Sequence, residues 1–187
     1  MKKTKTPQIR FKGFTEDWEQ RKCSDIALRY DSQRIPVAES QRVSGNTPYY
    51  GANGIQDYVE GFTHEGEYIL VAEDGANDLK NYPVQYVNER IWVNNHAHVL
   101  QANADNSTLF LKYLFCSTNM ESILVGGSRA KLNANTMMNI DFLAPKRDEQ
   151  IKVSSLLFNL EKTITLHQRK CEMLKNIKQF LLSKMFC

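Results

Sequence analysis

Between positions 47 and 100, short runs rich in Tyr, Val and Ile are divided by Gly, Asn, Asp and Pro, a pattern of strands and tight turns. Segments 68–72, 84–87, 91–93 and 97–101 read as strands. Gly51-Ala52-Asn53-Gly54 and Glu73-Asp74-Gly75-Ala76-Asn77-Asp78 read as turns, because Gly and Asn tolerate positive φ. Ser107 is placed to cap a helix through Leu109, Phe110, Leu111, Leu114 and Phe115, and a second helical piece is expected near 120–124. Ser24-Asp25 has the composition of a cap before Ile26, Ala27 and Leu28, or of a surface turn. Residues 1–17 form a polar arm expected to dock by its aromatics. Gly126-Gly127 breaks the chain, an exposed basic loop follows, and Ile140 to Pro145 reads as a last strand.

Beyond Pro145 the pattern changes. No Gly or Pro follows, so nothing interrupts a helix from about Asp148 to near Lys184. Steps of four and three link Val153, Leu157, Leu160, Ile164, His167, Cys171, Leu174, Lys178, Leu181 and Met185, a heptad seam with polar breaks at His167 and Lys178. A helix of this length spans roughly 50 Å, more than one small domain can cover. A partner helix is therefore expected, supplied by another copy, a homologous half or a different subunit. The predicted class is α+β: an irregular β-rich domain with short helices over 1–146, then a coiled-coil spacer helix over 147–187.

Charge divides along the same line. From Arg147 onward 8 Lys/Arg face 4 Asp/Glu, whereas residues 1–146 carry 16 basic against 17 acidic side chains. If the front domain binds DNA, its positive charge must gather on one face, because phosphate neutralisation is local. Cys23, Cys116, Cys171 and Cys187 contain no C-x-x-C pair and read as reduced thiols. No apolar run approaches the ~18 residues that span a membrane, and a cytoplasmic protein is expected.

Catalytic signatures are sparse. His96 and His98 lie one residue apart on a strand-like segment, a weak metal signal without a third His or a Cys at ligand spacing; polar residues on a sheet edge are the plainer reading. Glu73 and Asp74 with Lys80 suggest a nuclease only on paper, since a solvated turn before Gly75 is the far better explanation. The chain has no Gly-x-x-x-x-Gly-Lys loop and no Gly-rich turn opening a βαβ unit, so ATP hydrolysis and a Rossmann-type S-adenosylmethionine site are not encoded. The residues point to a non-catalytic binding module.

The order of motifs resembles the specificity subunit of type I restriction-modification enzymes in a single-repeat form. The resemblance rests on Thr6-Pro7-Gln8-Ile9-Arg10-Phe11-Lys12-Gly13-Phe14 with Trp18-Glu19-Gln20-Arg21-Lys22, and on Tyr50-Gly51-Ala52-Asn53-Gly54-Ile55. It extends to Gly126-Gly127-Ser128-Arg129-Ala130-Lys131-Leu132-Asn133, Glu149-Gln150 and Leu181-Leu182-Ser183-Lys184-Met185-Phe186. It implies sequence-specific recognition of one half of a bipartite double-stranded DNA target by residues 18–146. Arg129, Lys131 and Asn133 are the first candidates for contact, and Arg34, Lys80 and Asn77 the second.

For the helix, the resemblance implies docking of modification subunits and pairing of this chain, as a homodimer or with a homologous half, along Leu157, Leu160, Ile164, His167, Cys171, Leu174 and Leu181. A restriction subunit would join through the complex. S-adenosylmethionine, ATP and Mg would belong to those partners and none to this chain. Two other readings compete: a metal-dependent DNA nuclease using His96, His98 and Glu73, and a scaffold or antirestriction decoy that binds modification subunits without reading DNA. The target sequence, the individual base contacts, the helix partner, and whether the chain is a natural half or a fragment of a two-repeat subunit are open at this level.

Overall fold

In chain order the elements are β1 (Thr4–Lys5), β2 (Trp18–Lys22), α1 (Cys23–Ile26), β3 (Ala27–Arg29), β4 (Ser44–Gly51), β5 (Gly54–Val59) and β6 (His64–Ala72). There follow β7 (Val84–Val93), β8 (Ala97–Ala102), α2 (Thr108–Cys116), α3 (Ala134–Met138), β9 (Asp141–Ala144) and α4 (Arg147–Met185). This is a computed structural model, and it describes residues 4–126 and 130–186. The chain divides into two units, residues 1–151 and 152–187. The class is the α+β arrangement expected from the sequence. The break between units falls one turn inside α4 rather than at its first residue.

Two sheets build the first unit, a small one ordered β1-β2-β9 and a six-stranded one ordered β3-β8-β6-β7-β4-β5. All pairings are antiparallel except β4 with β7. Strand β6 is central, and its side chains alternate between two apolar faces. Tyr68 and Leu70 join Tyr50, Val87, Ile91, Val93 and Val99 in one buried cluster. Ile69 and Val71, at the alternate positions, are also fully buried. Helix α2 packs against β6, β7 and β8, and buries Phe110, Leu111, Leu114 and Phe115. Trp18 meets Phe110 edge-on at 5.9 Å and Phe115 meets Phe142 at 5.2 Å, so α2 also carries the small sheet. Phe115 is 0% exposed, and its replacement by Ala would cost about 3–5 kcal/mol.

Ser107 caps α2 as the sequence suggested, its hydroxyl accepting from the Phe110 N–H at 3.2 Å. The same residue reaches the spacer. Gln150 Oε1 accepts from the Ser107 backbone N–H at 2.9 Å, while Gln150 Nε2 donates to Asn106 Oδ1 at 2.8 Å and to the Pro145 carbonyl at 2.9 Å. The neighbouring Glu149 is 2% exposed and takes both carboxylate bonds from Arg10. The first turn of α4 is thus bonded into the β-rich unit by two adjacent polar side chains.

Several local expectations need correction. Segments 84–87 and 91–93 are one strand, β7, because the ladder to β6 runs unbroken through the exposed Asn88, Glu89 and Arg90, with Arg90 paired to Glu65. Ser24-Asp25 does not cap a helix through Leu28. The helical turn is Cys23–Ile26, with Asp25 accepting from the Lys22 N–H, and Ala27–Arg29 is drawn into strand pairing with β8. Near position 120 there is a single 3₁₀ turn, Met120–Ser122. The arm is bonded to α4 through Arg10; of its aromatics Phe14 is half-buried and Phe11 37% exposed, and Ile9 is 94% exposed.

Candidate nucleic-acid interface

Three connections meet beside the end of β6. The turn between β4 and β5 places Asn53 against the 73–83 segment: its Nδ2 donates to the Gly75 carbonyl at 2.8 Å and its Oδ1 accepts from the Asn77 N–H at 2.9 Å. Gly75, at φ 70°, supplies the left-handed backbone this approach uses. Asp78 organises the rest of that segment, its Oδ1 accepting from the Lys80 and Asn81 N–H groups and its Oδ2 from the Asn81 amide. The Asn81 backbone and side-chain bonds, followed by the Lys80 N–H, hold the Asp78 carboxyl below its usual range.

The third connection precedes α3. Val125 and Lys131 exchange both backbone bonds, at 3.0 and 2.7 Å, and Lys131 bridges to Asp74. Leu132, fully buried, donates its N–H to the Glu73 carbonyl at 2.7 Å. Asn133 occupies the N-cap of α3, yet its side chain makes no capping bond. It is exposed.

Of the residues singled out from sequence, Asn77, Lys80, Lys131 and Asn133 are exposed on these connected segments. Arg129 lies outside the described residues. Arg34 is placed differently, because its guanidinium is turned inward: Nη1 donates to Glu73 Oε2 and to the Ala97 carbonyl, both at 2.8 Å, and Nε donates to the Asp31 carbonyl at 3.1 Å. Asn53 was read only as a turn residue, and its bridging role carried no local signal. Asp31, half-buried beside His98, carried none either.

His96 and His98 do not act together. His96 precedes β8 and bonds Asp74 through Nδ1 at 2.5 Å. His98 is inside, with Nδ1 on Asp31 Oδ2 at 2.7 Å and Nε2 on the Leu132 carbonyl at 2.8 Å. Asp31, Glu73 and His98 bring three ligand-type atoms within 4.8 Å of one another, but Arg34 and Lys131 already bond Glu73 at 2.8 and 3.0 Å. Burial by itself would raise both carboxyls. For Asp31 the His98 bond and charge, the Val99 N–H and Arg34 outweigh it; for Glu73 the bonds from Arg34 and Lys131 do, so both stay below their usual range. The cluster is neutralised by side-chain cations, and the nuclease reading is not favoured.

In the second unit the expected seam is present on α4. Leu160, Ile164, Leu174 and Leu181 are each about half exposed, at 50, 55, 52 and 47%; His167 and Cys171 on the same face are exposed and Leu157 is half-buried. A feature absent from the heptad reading is a second stripe, Leu166, Met173, Ile177 and Phe180, about a third of a turn away at 100° per residue. Met173, Ile177 and Phe180 line a shallow groove with Arg169, Glu172 and Asn176.

The first unit presents connected loops with exposed amide and ammonium groups, and the second is a long helix with an exposed apolar seam. The family profile of the type I restriction modification DNA specificity domain matches residues 15–176, and the chain belongs to that family. It is 41% identical over 145 residues to the type I restriction enzyme specificity subunit S.HindORF215P of Haemophilus influenzae, covering 78% of this chain and 37% of that protein. Against the EcoprrI specificity subunit of Escherichia coli the identity is 22% over 65% of this chain and 29% of the relative. The crystal structure of a type I restriction-modification S subunit from M. genitalium superposes with a TM-score of 0.75 at 12% identity, over 97% of this chain and 49% of that one. The HsdS subunit of Thermoanaerobacter tengcongensis gives 0.51 at 11% identity, over 98% and 47%. These structural likenesses show the fold. The chain spans about half the length of the solved relatives and about a third of the sequence relatives.

Proposed function

We propose that this chain reads one half of a bipartite double-stranded DNA target and directs methylation and cleavage carried out by partner subunits, supplying no catalytic step itself. Family membership sets the class. The observation that carries the reading onto particular residues is the bonded loop cluster, in which Asn53, Gly75, Asn77, Asp74 and Lys131 tie three separate segments into one platform. Asn133 and Asn77 supply the amide chemistry that pairs with base edges, and Lys131 and Lys80, joined by Arg129, supply cations for phosphates. Arg34 enters as a support beneath that platform.

Residues 1–146 serve as the recognition domain and 147–187 as the spacer. The occupant of the seam through Leu157, Leu160, Ile164, His167, Cys171, Leu174 and Leu181 is a second copy of this chain or a homologous half. Two recognition domains joined by a helix pair of fixed length would read half-sites at fixed spacing. The second stripe leaves room on the same helix for modification subunits, through which a restriction subunit joins the complex in the cytoplasm. S-adenosylmethionine, ATP and Mg belong to those partners. No helix among the described residues is long and apolar enough to cross a membrane.

The test is to express the chain with its modification subunit and map methylated adenines in the host genome. A single bipartite motif, lost with this chain, is the expected result; methylation without a motif would refute the reading.

A further inference from the structure

The described end of the loop before α3 is anchored by a half-buried charge cluster around the buried His98 rather than by apolar packing alone. Leu132 has both backbone groups bonded to the interior: its N–H donates to the Glu73 carbonyl and its carbonyl accepts from His98 Nε2. His98 is 1% exposed. Its other nitrogen faces Asp31 Oδ2, whose Oδ1 accepts from the Val99 N–H at 2.8 Å. A carbonyl is an acceptor only, so Nε2 carries the hydrogen that Leu132 takes, and Nδ1 lies against the Asp31 carboxylate. Glu73 completes the arrangement, bonding Lys131 with one carboxylate oxygen and Arg34 with the other. Arg29, 3.6 Å from Asp31, is the remaining cation at the rim.

We propose that His98, held by Asp31, is a positioning residue for DNA reading: with Glu73 it fixes Leu132, and so sets where the flanking Lys131 and Asn133 stand relative to Asn77 and Lys80. The inference rests on the DNA-reading function proposed above. Sequence discrimination demands placement of a reading side chain to within a fraction of an ångström, and an exposed segment gains such placement only from a support it cannot slide along. An apolar side chain in a pocket resists withdrawal but tolerates rotation. Two hydrogen bonds to one buried residue, one given by its N–H and one taken by its carbonyl, restrict that freedom.

Two conservative replacements separate positioning from simple stability. In His98→Gln the amide nitrogen falls near the position of Nε2, keeping the donor to the Leu132 carbonyl and giving up the bond to Asp31. In His98→Asn the amide nitrogen falls near Nδ1, keeping the Asp31 bond and abandoning Leu132. Amide hydrogen exchange on the full chain is expected to show faster exchange at Leu132 in His98→Asn than in His98→Gln.

Binding is then compared, for the complex with the modification subunit, between the duplex motif found by methylation mapping and the same duplex with one base pair changed. Discrimination should fall about tenfold in His98→Asn, the worth of one lost buried hydrogen bond, and be largely retained in His98→Gln, with affinity for unrelated duplex unchanged in both. Equal discrimination by both variants, whether like the wild type or equally weakened, would overturn the proposal, as would unchanged exchange at Leu132 in His98→Asn. If wild-type protein directs methylation to no motif, the DNA-reading function fails by itself, and the exchange comparison still judges the anchor.

Discussion

Arg10 bonds both carboxylate oxygens of Glu149, 139 positions further along the chain, through Nε and Nη2 at 2.7 Å each. The pair fastens the N-terminal arm to the first turn of α4, beside the bonds that Gln150 makes to Asn106 and Ser107. Adjacent acidic and amide side chains at a helix start ordinarily face solvent; here both are 2% exposed.

Arg10→Ala strands a buried carboxylate, and thermal melting followed by circular dichroism should show a clear drop in Tm. Arg10→Lys should restore little of it, because one ammonium cannot reproduce a two-pronged guanidinium contact. Gln150→Leu leaves the Ser107 N–H and the Asn106 carbonyl without their partner and should cost about 2 kcal/mol in urea unfolding. Equal stability of all three variants with wild type would show that the junction holds without these bonds.

At the recognition face, Asn133→Ala should relax specificity at one or two base pairs of the motif, at about 1–3 kcal/mol of lost discrimination. Lys131→Ala should weaken binding evenly across sequences and reduce the salt slope by about one. Titrations of matched and mismatched duplexes at several salt concentrations distinguish these outcomes; an even loss from Asn133→Ala would remove it from base reading.

Light scattering should report a dimer for the wild-type chain. Leu160→Asp with Leu174→Asp places charge in the seam on both sides of His167 and should yield a monomer whose recognition domain keeps its spectrum. A wild-type monomer, unaltered by this double change, would sink the pairing.

Burial holds His64 below its ordinary value of about 6.5, against the opposing Tyr30 carbonyl bond and Asp31 charge. Its neutral ring donates from Nε2 to Tyr30 O at 3.1 Å and accepts at Nδ1 from the Thr63 hydroxyl at 2.7 Å. A depressed folded value means that its stabilisation is complete above about pH 6.5 and is lost as pH falls through the folded value. Wild-type protein should therefore lose stability relative to His64→Gln as the pH falls below about 6.5, at up to about 1.4 kcal/mol per pH unit. Asp31 and Glu73, also held low, keep their contribution until the pH falls below about 4. Stability curves for the two proteins that stay parallel as the pH falls below about 6.5 would contradict the assignment.

Cys23 is 0% exposed and desolvation pushes its thiol up to about 12. Cys116 and Cys171 are exposed. Iodoacetamide at pH 8 should label Cys116 within minutes and Cys23 only on unfolding, with Cys171 labelled faster in the Leu160→Asp, Leu174→Asp protein than in the paired wild type, read by peptide mass spectrometry.

The strands, the Ser107 cap and the long helix could be read in the sequence because each is written in its own residues: alternation, a small polar side chain before an apolar run, and a stretch without Gly or Pro. The seam was equally legible. The second stripe was not, since a heptad template selects one face and passes over Met173, Ile177 and Phe180. Strand β7 was split in two because local propensity falls at Asn88, Glu89 and Arg90, whereas its ladder depends on β6.

The candidate site divides along the same line. Sequence alone determined the class, the long helix with its seam, and the exposure of Asn77, Lys80, Lys131 and Asn133, since composition and spacing survive without knowledge of neighbours. Only the tertiary structure decided that Arg34 faces inward, that Asn53 bridges two segments, and that Glu149 and His98 are buried with partners 139 and 67 residues away. An ion pair across such separations has no local pattern, because what permits a buried charge is the partner that folding brings to it.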